Sequence, residues 1–384
     1  MLADLGIHVY WHCDVGDNLE RVVEAFRIAS GRADVILVTG GLGPTPDDLT
    51  RDAVATWLGR PLVRDERLAR MIARIFADMG RDMPEHNLRQ ADLPEGATPI
   101  DPVGTAPGFI VENEGTGLAA LPGVPWEMRA MLDSSVLPWL RAKSGGSTIV
   151  SRQVLVIGLG ESMTHARIAD IVHAQSNPTI AYLAGGGQVR VRITAKARSV
   201  AEAESLIAPV EDSVRARLGD AAVPGSYGSV AQALADVLLE RGLSVAAAES
   251  LTGGLVGAEL TAAEGSSDFF LGSLVVYATD AKRRVAGVPD DVVAAHGVVS
   301  PAAARALAGA AVERFGADLG VATTGVAGPA DQEGHPPGTV HVAATCDGRT
   351  EVRSMRARGD RSFIRDLAVT AALDLGRRVI TEAE

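Results

Sequence analysis

Apolar residues along this chain fall into two periods, and the switches between them mark out its elements. In "DNLERVVEAFRIAS" (17–30) they recur every three or four positions, which predicts an amphipathic helix. "ADVILVTGG" (33–41) is a short apolar run ended by two glycines, which predicts a buried strand and a turn. "GQVRVRITAKA" (187–197) alternates apolar with polar, the mark of a half-buried strand. "VAQALADVLLERG" (230–242) returns to the helical period, and strand and helix patterns alternate from there to the end. That alternation predicts layered α/β architecture with helices covering a sheet. At the N-terminus "MLADLG" reads as the last turn of a helix stopped by Gly6, and "IHVYWHC" (7–13) as a strand. The chain is thus expected to open in mid-helix, with an earlier strand belonging to a longer form.

Two breaks in the pattern read as linkers, "KSGGST" (143–148) and "VPGSYGS" (223–229). They divide the 384 residues into domains over 1–143, 148–222 and 228–384, the middle one a small α+β domain. Composition is that of an ordinary globular protein, 47% apolar and 22% charged, with aromatics at 4%. The scarcity of aromatics beside abundant Ala, Val and Gly suits close helix–sheet packing. A net charge of -12 disfavours direct nucleic-acid binding, which needs a positive field. The two cysteines, Cys13 and Cys346, form no metal motif or disulfide framework, and fit a reducing, cytoplasmic setting. No membrane span or secretion signal is read.

The candidate chemistry concentrates in the last third. "VAAAESLTGG" (245–254) runs from an apolar strand into Ser250 and two glycines. The serine could cap the next helix, cradle a phosphate or act as a nucleophile, and spacing alone leaves these open. "GSLVVYATDAKRRVAGV" (272–288) places Tyr277 and Lys282 just past another strand. Each is ordinarily a surface residue, yet a lysine of depressed pKa can serve as a base for serine. "VATTGVAGP" (321–329) ends a third strand in a glycine loop whose amides could hold an oxyanion. Arg361 and Arg365, one helical turn apart, are either a solvated face or a phosphate grip.

Taken in series, "AAAESLTGG", "VVYATDAKRRVAGV", "GVVSPAAARALA", "TTGVAGP" and "GDRSFIRDLA" resemble the C-terminal domain of the CinA (competence/damage-inducible) family, over almost all of 228–384. The resemblance implies an amidohydrolase converting nicotinamide mononucleotide to the acid with release of ammonia, in pyridine-nucleotide salvage. It implies Ser250 as nucleophile, Lys282 as base and Tyr277 nearby. It also places Glu249, Thr252, Gly253, Gly254, Thr279, Thr324, Gly325, Gly328, Arg361 and Arg365 at the substrate, with no cofactor for this step. The chain departs from the family pattern at Leu251, usually Cys, at Thr279, often Asn, and in "ADQEG" after "AGP".

In the first third, "DVILVTGGLGPTPDDLTRDAVATWLGRPLV" (34–63) is the most specific stretch. Gly40, Gly41, Gly43 and Thr45 could form a nucleotide-binding turn, and Asp47 and Asp48 could hold a divalent metal. The plain alternative is a capped loop. With "NLRQADLPEGATPIDPVGTAPGF" and "LPGVPWEM" this stretch resembles the family's N-terminal domain, which is similar to molybdopterin-binding three-layer domains. "QSNPTIAYLAGGGQVRVRITAKA" resembles its small linking domain. The resemblance implies a metal-dependent ADP-ribose pyrophosphatase activity for the N-terminal domain and a homodimer. A third reading is a non-enzymatic binding protein linked to competence or damage response.

Overall fold

The computed structural model describes Leu2, Ile7, 9–143 and 148–381. The turn expected over 1–6 and residues 144–147 of the first linker lie outside the described residues, Leu2 apart. The chain divides into two compact units, Met1–Thr148 and Ile149–Glu384.

The first unit holds α1 (Leu19–Ser30), β1 (Val35–Thr39), α2 (Thr50–Leu58), β2 (Leu62–Arg64), α3 (Glu66–Asp78), β3 (Asp92–Pro94), β4 (Thr98–Ile100), β5 (Gly108–Asn113), β6 (Thr116–Leu121), α4 (Pro125–Met131) and α5 (Leu137–Lys143). Its main sheet runs β1-β6-β5-β4, with β1 parallel to β6 and the other pairs antiparallel. Alternation along β5 and β6 sorts side chains to two faces. Phe109, Val111, Leu118 and Ala120 join Phe26, Val54, Leu68 and Ile72 of α1–α3. Ile110, Ala119 and Leu121 join Met131, Val136 and Leu140 around α4 and α5. The result is three layers, helix on sheet on helix.

"IHVYWHC" does not become a strand: its described residues are irregular. Alternation permits a strand, but only a ladder partner makes one, and among the described residues β1 pairs with β6 alone. Tyr10 and Trp11 stay 77% and 59% exposed, and the Arg32 guanidinium sits 4.2 Å above the Trp11 ring instead.

The second unit begins with β7 (Thr148–Ile157), α6 (Glu161–Ala174), β8 (Thr179–Gly185), β9 (Gln188–Ala197) and α7 (Val200–Leu218), its sheet ordered β7-β9-β8. The alternating positions Val189, Val191, Ile193 and Ala195 are buried against Ala203, Ile207 and Val214 of α7. Next come α8 (Val230–Arg241), β10 (Val245–Glu249), α9 (Leu255–Ala262), α10 (Ser266–Phe269), β11 (Phe270–Val275), α11 (Thr279–Arg284), α12 (Asp290–His296), α13 (Pro301–Phe315), β12 (Leu319–Gly325), β13 (Thr339–Cys346), β14 (Arg349–Arg356) and α14 (Arg361–Thr381).

This sheet is ordered β11-β10-β12-β13-β14, with β10 parallel to both neighbours and the far pairs antiparallel. Val245, Ala247, Leu319 and Val321 face α8, α9 and α14, while Ala246, Ala248 and Ala322 face α13. The many small residues let helices lie almost on the backbone: a Cβ on Gly320 would come 2.2 Å from the Ala308 carbonyl oxygen. Leu155, Ile157 and Val223 share one core with α8 and α14, and Tyr227 packs against it, while Pro224, Gly225, Ser226 and Gly228 are exposed. No helix among the described residues is long and apolar enough to cross a membrane.

Candidate active site

The parallel strands β11, β10 and β12 end side by side, the usual place for ligand chemistry in such a sheet. β10 is fully buried and ends in Glu249, whose side chain has no solvent access. Five donors satisfy this carboxylate. Oε2 accepts from Thr252 Oγ1 at 2.8 Å, Gly254 N at 2.9 Å and Val256 N at 3.0 Å. Oε1 accepts from Gly257 N at 2.9 Å and Ser273 Oγ at 2.8 Å. Three of these are amides at the start of α9, where a helix favours negative charge. The sequence left that helix start open to an anionic ligand. The protein's own carboxylate occupies it, and α9 has no side-chain cap at Gly254.

Ser250 therefore does not cap α9. Its amide donates to the Thr323 carbonyl at 3.0 Å and its carbonyl accepts from Gly253 N at 3.1 Å, closing a tight turn. Gly253 (φ 61°) and Gly254 (φ 100°) supply the left-handed backbone that this turn requires. The residue is 6% exposed, and its hydroxyl has no partner among the described residues. Thr252 Oγ1 and Thr323 Oγ1, 2.7 Å apart, tie the turn to β12.

One strand over, Val276 N donates to the Glu249 carbonyl at 2.8 Å, which sets the 276–278 segment beside the Ser250 turn. Lys282 on α11 is 1% exposed, and its Nζ donates to the Tyr277 carbonyl at 3.0 Å. Burial pushes this amine down to about 8, against the opposing pull of the Glu333 carboxylate. Lys282, on the helix that follows β11, and Ser250, on the turn that follows β10, thus lie beyond adjacent strands about 4.8 Å apart, without a hydrogen bond between them. The Tyr277 side chain is exposed, and Arg361 clips it, donating to its hydroxyl at 3.0 Å and to the Gly328 carbonyl at 2.6 Å. Arg365 donates to the Leu251 and Thr252 carbonyls at 3.1 and 2.7 Å and so braces the serine turn. Thr279, the first residue of α11, is exposed.

On β12, Thr324 is buried and donates to the Val298 carbonyl at 2.6 Å, so its hydroxyl proton already has an acceptor. Gly325 lies so close to β13 that a Cβ would sit 2.4 Å from the Thr339 carbonyl oxygen. Gly328 (φ 86°) begins the departing loop. In that loop Glu333, which sequence reasoning did not single out, accepts from Val298 N at 2.8 Å and Val299 N at 3.1 Å. It lies in "ADQEG", where the chain departs from the family pattern, and Gly297 leaves room for it, since a Cβ there would meet the Glu333 carboxylate at 2.5 Å.

In the first unit, Gly40 and Gly41 turn the chain out of β1 with φ 94° and 66°. Asp48 Oδ2 accepts from Thr45 N at 2.9 Å and Thr45 Oγ1 at 2.6 Å, and Gly43 leaves room for that carboxylate. Burial pushes the Asp48 carboxyl up, but the Thr45 and Gly43 hydrogen bonds and the Arg51 charge outweigh it and hold it below the ordinary range. Asp47 is exposed. Asp48 thus closes a turn onto Thr45 and does not cap α2, whose start has no side-chain cap; Thr50 Oγ1 donates to the Gly40 carbonyl instead. Among the described residues no group of three His, Cys, Asp or Glu side chains is placed to hold a metal ion.

Residues 228–380 match the family described as "CinA C-terminal domain", 1–142 the "Probable molybdopterin binding domain" and 151–223 the "Damage-inducible protein CinA KH domain". A CinA-like protein of Frankia casuarinae is 46% identical over 390 residues, covering 99% of this chain and 90% of its own. A CinA-like protein of Dictyoglomus turgidum is 40% identical over 382 residues, covering 98% and 92%. The crystal structure of a competence-damaged protein (CinA) superfamily protein from Escherichia coli is 33% identical, covers 38% of this chain and 86% of that one, and has a TM-score of 0.37.

Proposed function

Since the chain belongs to the CinA family, we propose that its C-terminal domain hydrolyses the carboxamide of nicotinamide mononucleotide, with Ser250 as the nucleophile. The observation that supports this reading is the Ser250 hydroxyl, without a hydrogen-bond partner among the described residues, on a turn next to Glu249 and its five hydrogen bonds. A serine kept only to cap a helix would donate or accept there.

In the proposed reaction Ser250 Oγ attacks the carboxamide carbon and neutral Lys282 takes its proton. The resulting tetrahedral oxyanion collapses with cleavage of the C–N bond, and the departing nitrogen takes the proton from Lys282 to leave as ammonia. Water then hydrolyses the acyl-serine, with the same lysine as base, and nicotinate mononucleotide is released. An amine near 8 is about one-tenth neutral at pH 7, enough to act without first being deprotonated at high cost. Nucleophile and base both come from side chains, so the activity is expected to persist in EDTA. The Arg361 and Arg365 guanidiniums, near the start of α14, reach the Tyr277 hydroxyl and the Ser250 turn and are proposed to meet the substrate phosphate.

The test is ammonia release from nicotinamide mononucleotide by the full chain and by Ser250→Ala. Loss of release in a variant of unchanged circular dichroism is the expected result. Equal rates in the two proteins would rule Ser250 out as the nucleophile.

A further inference from the structure

Within the second unit, away from the serine turn, a cleft of about 580 Å³ opens where the middle and C-terminal segments meet. Its charged lining is four guanidiniums, of Arg167, Arg217, Arg353 and Arg378, against two carboxylates, of Asp220 and Asp374. In a chain of net charge -12 this is a local excess of positive charge.

The floor of the cleft is a built arrangement. Asp374 on α14 has no solvent access. Its Oδ2 accepts from Arg378 at 2.9 Å and from Arg353 at 3.3 Å, and its Oδ1 from Arg377 at 2.9 Å. One carboxylate thus orients three guanidiniums and neutralises one of them. Arg353 makes one of its five possible donations to Asp374 and keeps 37% of its side chain exposed. From the middle segment Arg167 donates to the Leu218 carbonyl at 3.3 Å, and Arg217 pairs with exposed Asp170 at the rim. Gly158, in the lining, has φ 83° and no atom within 4 Å of an added Cβ, so backbone is bare there.

We propose that this cleft binds a phosphorylated small molecule, its phosphate met by Arg167 from the middle segment and Arg353 from β14. Oriented guanidinium forks match phosphate oxygens in pairs. The volume is that of a small-molecule site, and the acidity of the whole chain opposes a long polyanion. The inference is independent of the amidohydrolase reading.

The test is calorimetric titration of the full chain with inorganic pyrophosphate, then the same titration of Arg167→Gln, Arg353→Gln and the double variant. Both side chains keep solvent contact, so the fold is expected to survive, as circular dichroism can check. The expected result is saturable binding that weakens at least tenfold in the double variant, with ammonia release unchanged. No binding to the wild type at millimolar pyrophosphate, or equal affinity in wild type and double variant, would overturn the proposal. So would binding of a ten-nucleotide single strand that is tighter than that of pyrophosphate and is lost in the double variant, because the cleft would then be a nucleic-acid groove.

Discussion

Lys282 gives the proposed chemistry a pH signature. Its amine is lowered to about 8 by burial, and only the neutral form can accept a proton. The rate of ammonia release at low substrate is therefore expected to rise about tenfold per pH unit below 8 and to level off above it. A flat profile between pH 6 and 9 would remove Lys282 as the base. Glu249 makes a different demand. As glutamine it would keep its size, lose its charge and turn an NH₂ toward donors it now accepts from. Breaking such a buried charge-assisted set costs about 3 kcal/mol. Glu249→Gln is thus expected to lower the denaturation midpoint and to abolish ammonia release together. A variant that stays stable but inactive would point to a direct substrate contact. Sequence reasoning placed Glu249 at the substrate, whereas its carboxylate is fully engaged within the protein. The residues themselves stand in the sequence, but which partner each selects depends on strands 24 and 71 positions away, at Ser273 and Thr323.

At the scale of elements, the pattern of apolar positions was the most legible part. α1, β1, β9, α8 and β12 fall where periodicity put them, because burial enforces the same period that the sequence displays. It misled at 7–13, where the pattern was right for a strand but pairing was lacking. It also left Glu333 and the 297–299 loop unread, since side chain-to-amide bonds across loops carry no periodic signal. The serine turn itself is an element with a sharp requirement. Gly253 at φ 61° sits in the left-handed region, where a Cβ costs about 1 to 2 kcal/mol. Its added Cβ would meet nothing nearer than 3.6 Å, so the cost is conformational and not steric. Gly253→Ala is accordingly expected to fold, with its midpoint lowered by a few degrees and ammonia release reduced at least tenfold as Ser250 shifts. Unchanged release would show that the turn tolerates the shift.

For the molecule as a whole, sequence punctuation suggested separable domains, yet packing joins the middle segment to the C-terminal one. Leu155, Ile157 and Val223 lie in the core of α8 and α14. Thr370 donates to the Gly186 carbonyl, Gln188 accepts from Val230 N, and Arg378 reaches the Asp220 carbonyl. A fragment of residues 228–384 is therefore expected to bind a hydrophobic dye and to unfold at a lower temperature than the fragment 149–384. Equal midpoints and no dye binding would mean that the shared core is dispensable.

That shared core also fixes an order of events during synthesis. Leu155, Ile157 and Val223 emerge from the ribosome before α14, the last helix to which they belong, has been made. At the usual pace of elongation the end of α14 follows Val223 by about 8 to 30 s and Leu155 by about 11 to 45 s. For that time the part of this core that α14 covers stays open on the nascent chain, a surface that a chaperone can bind.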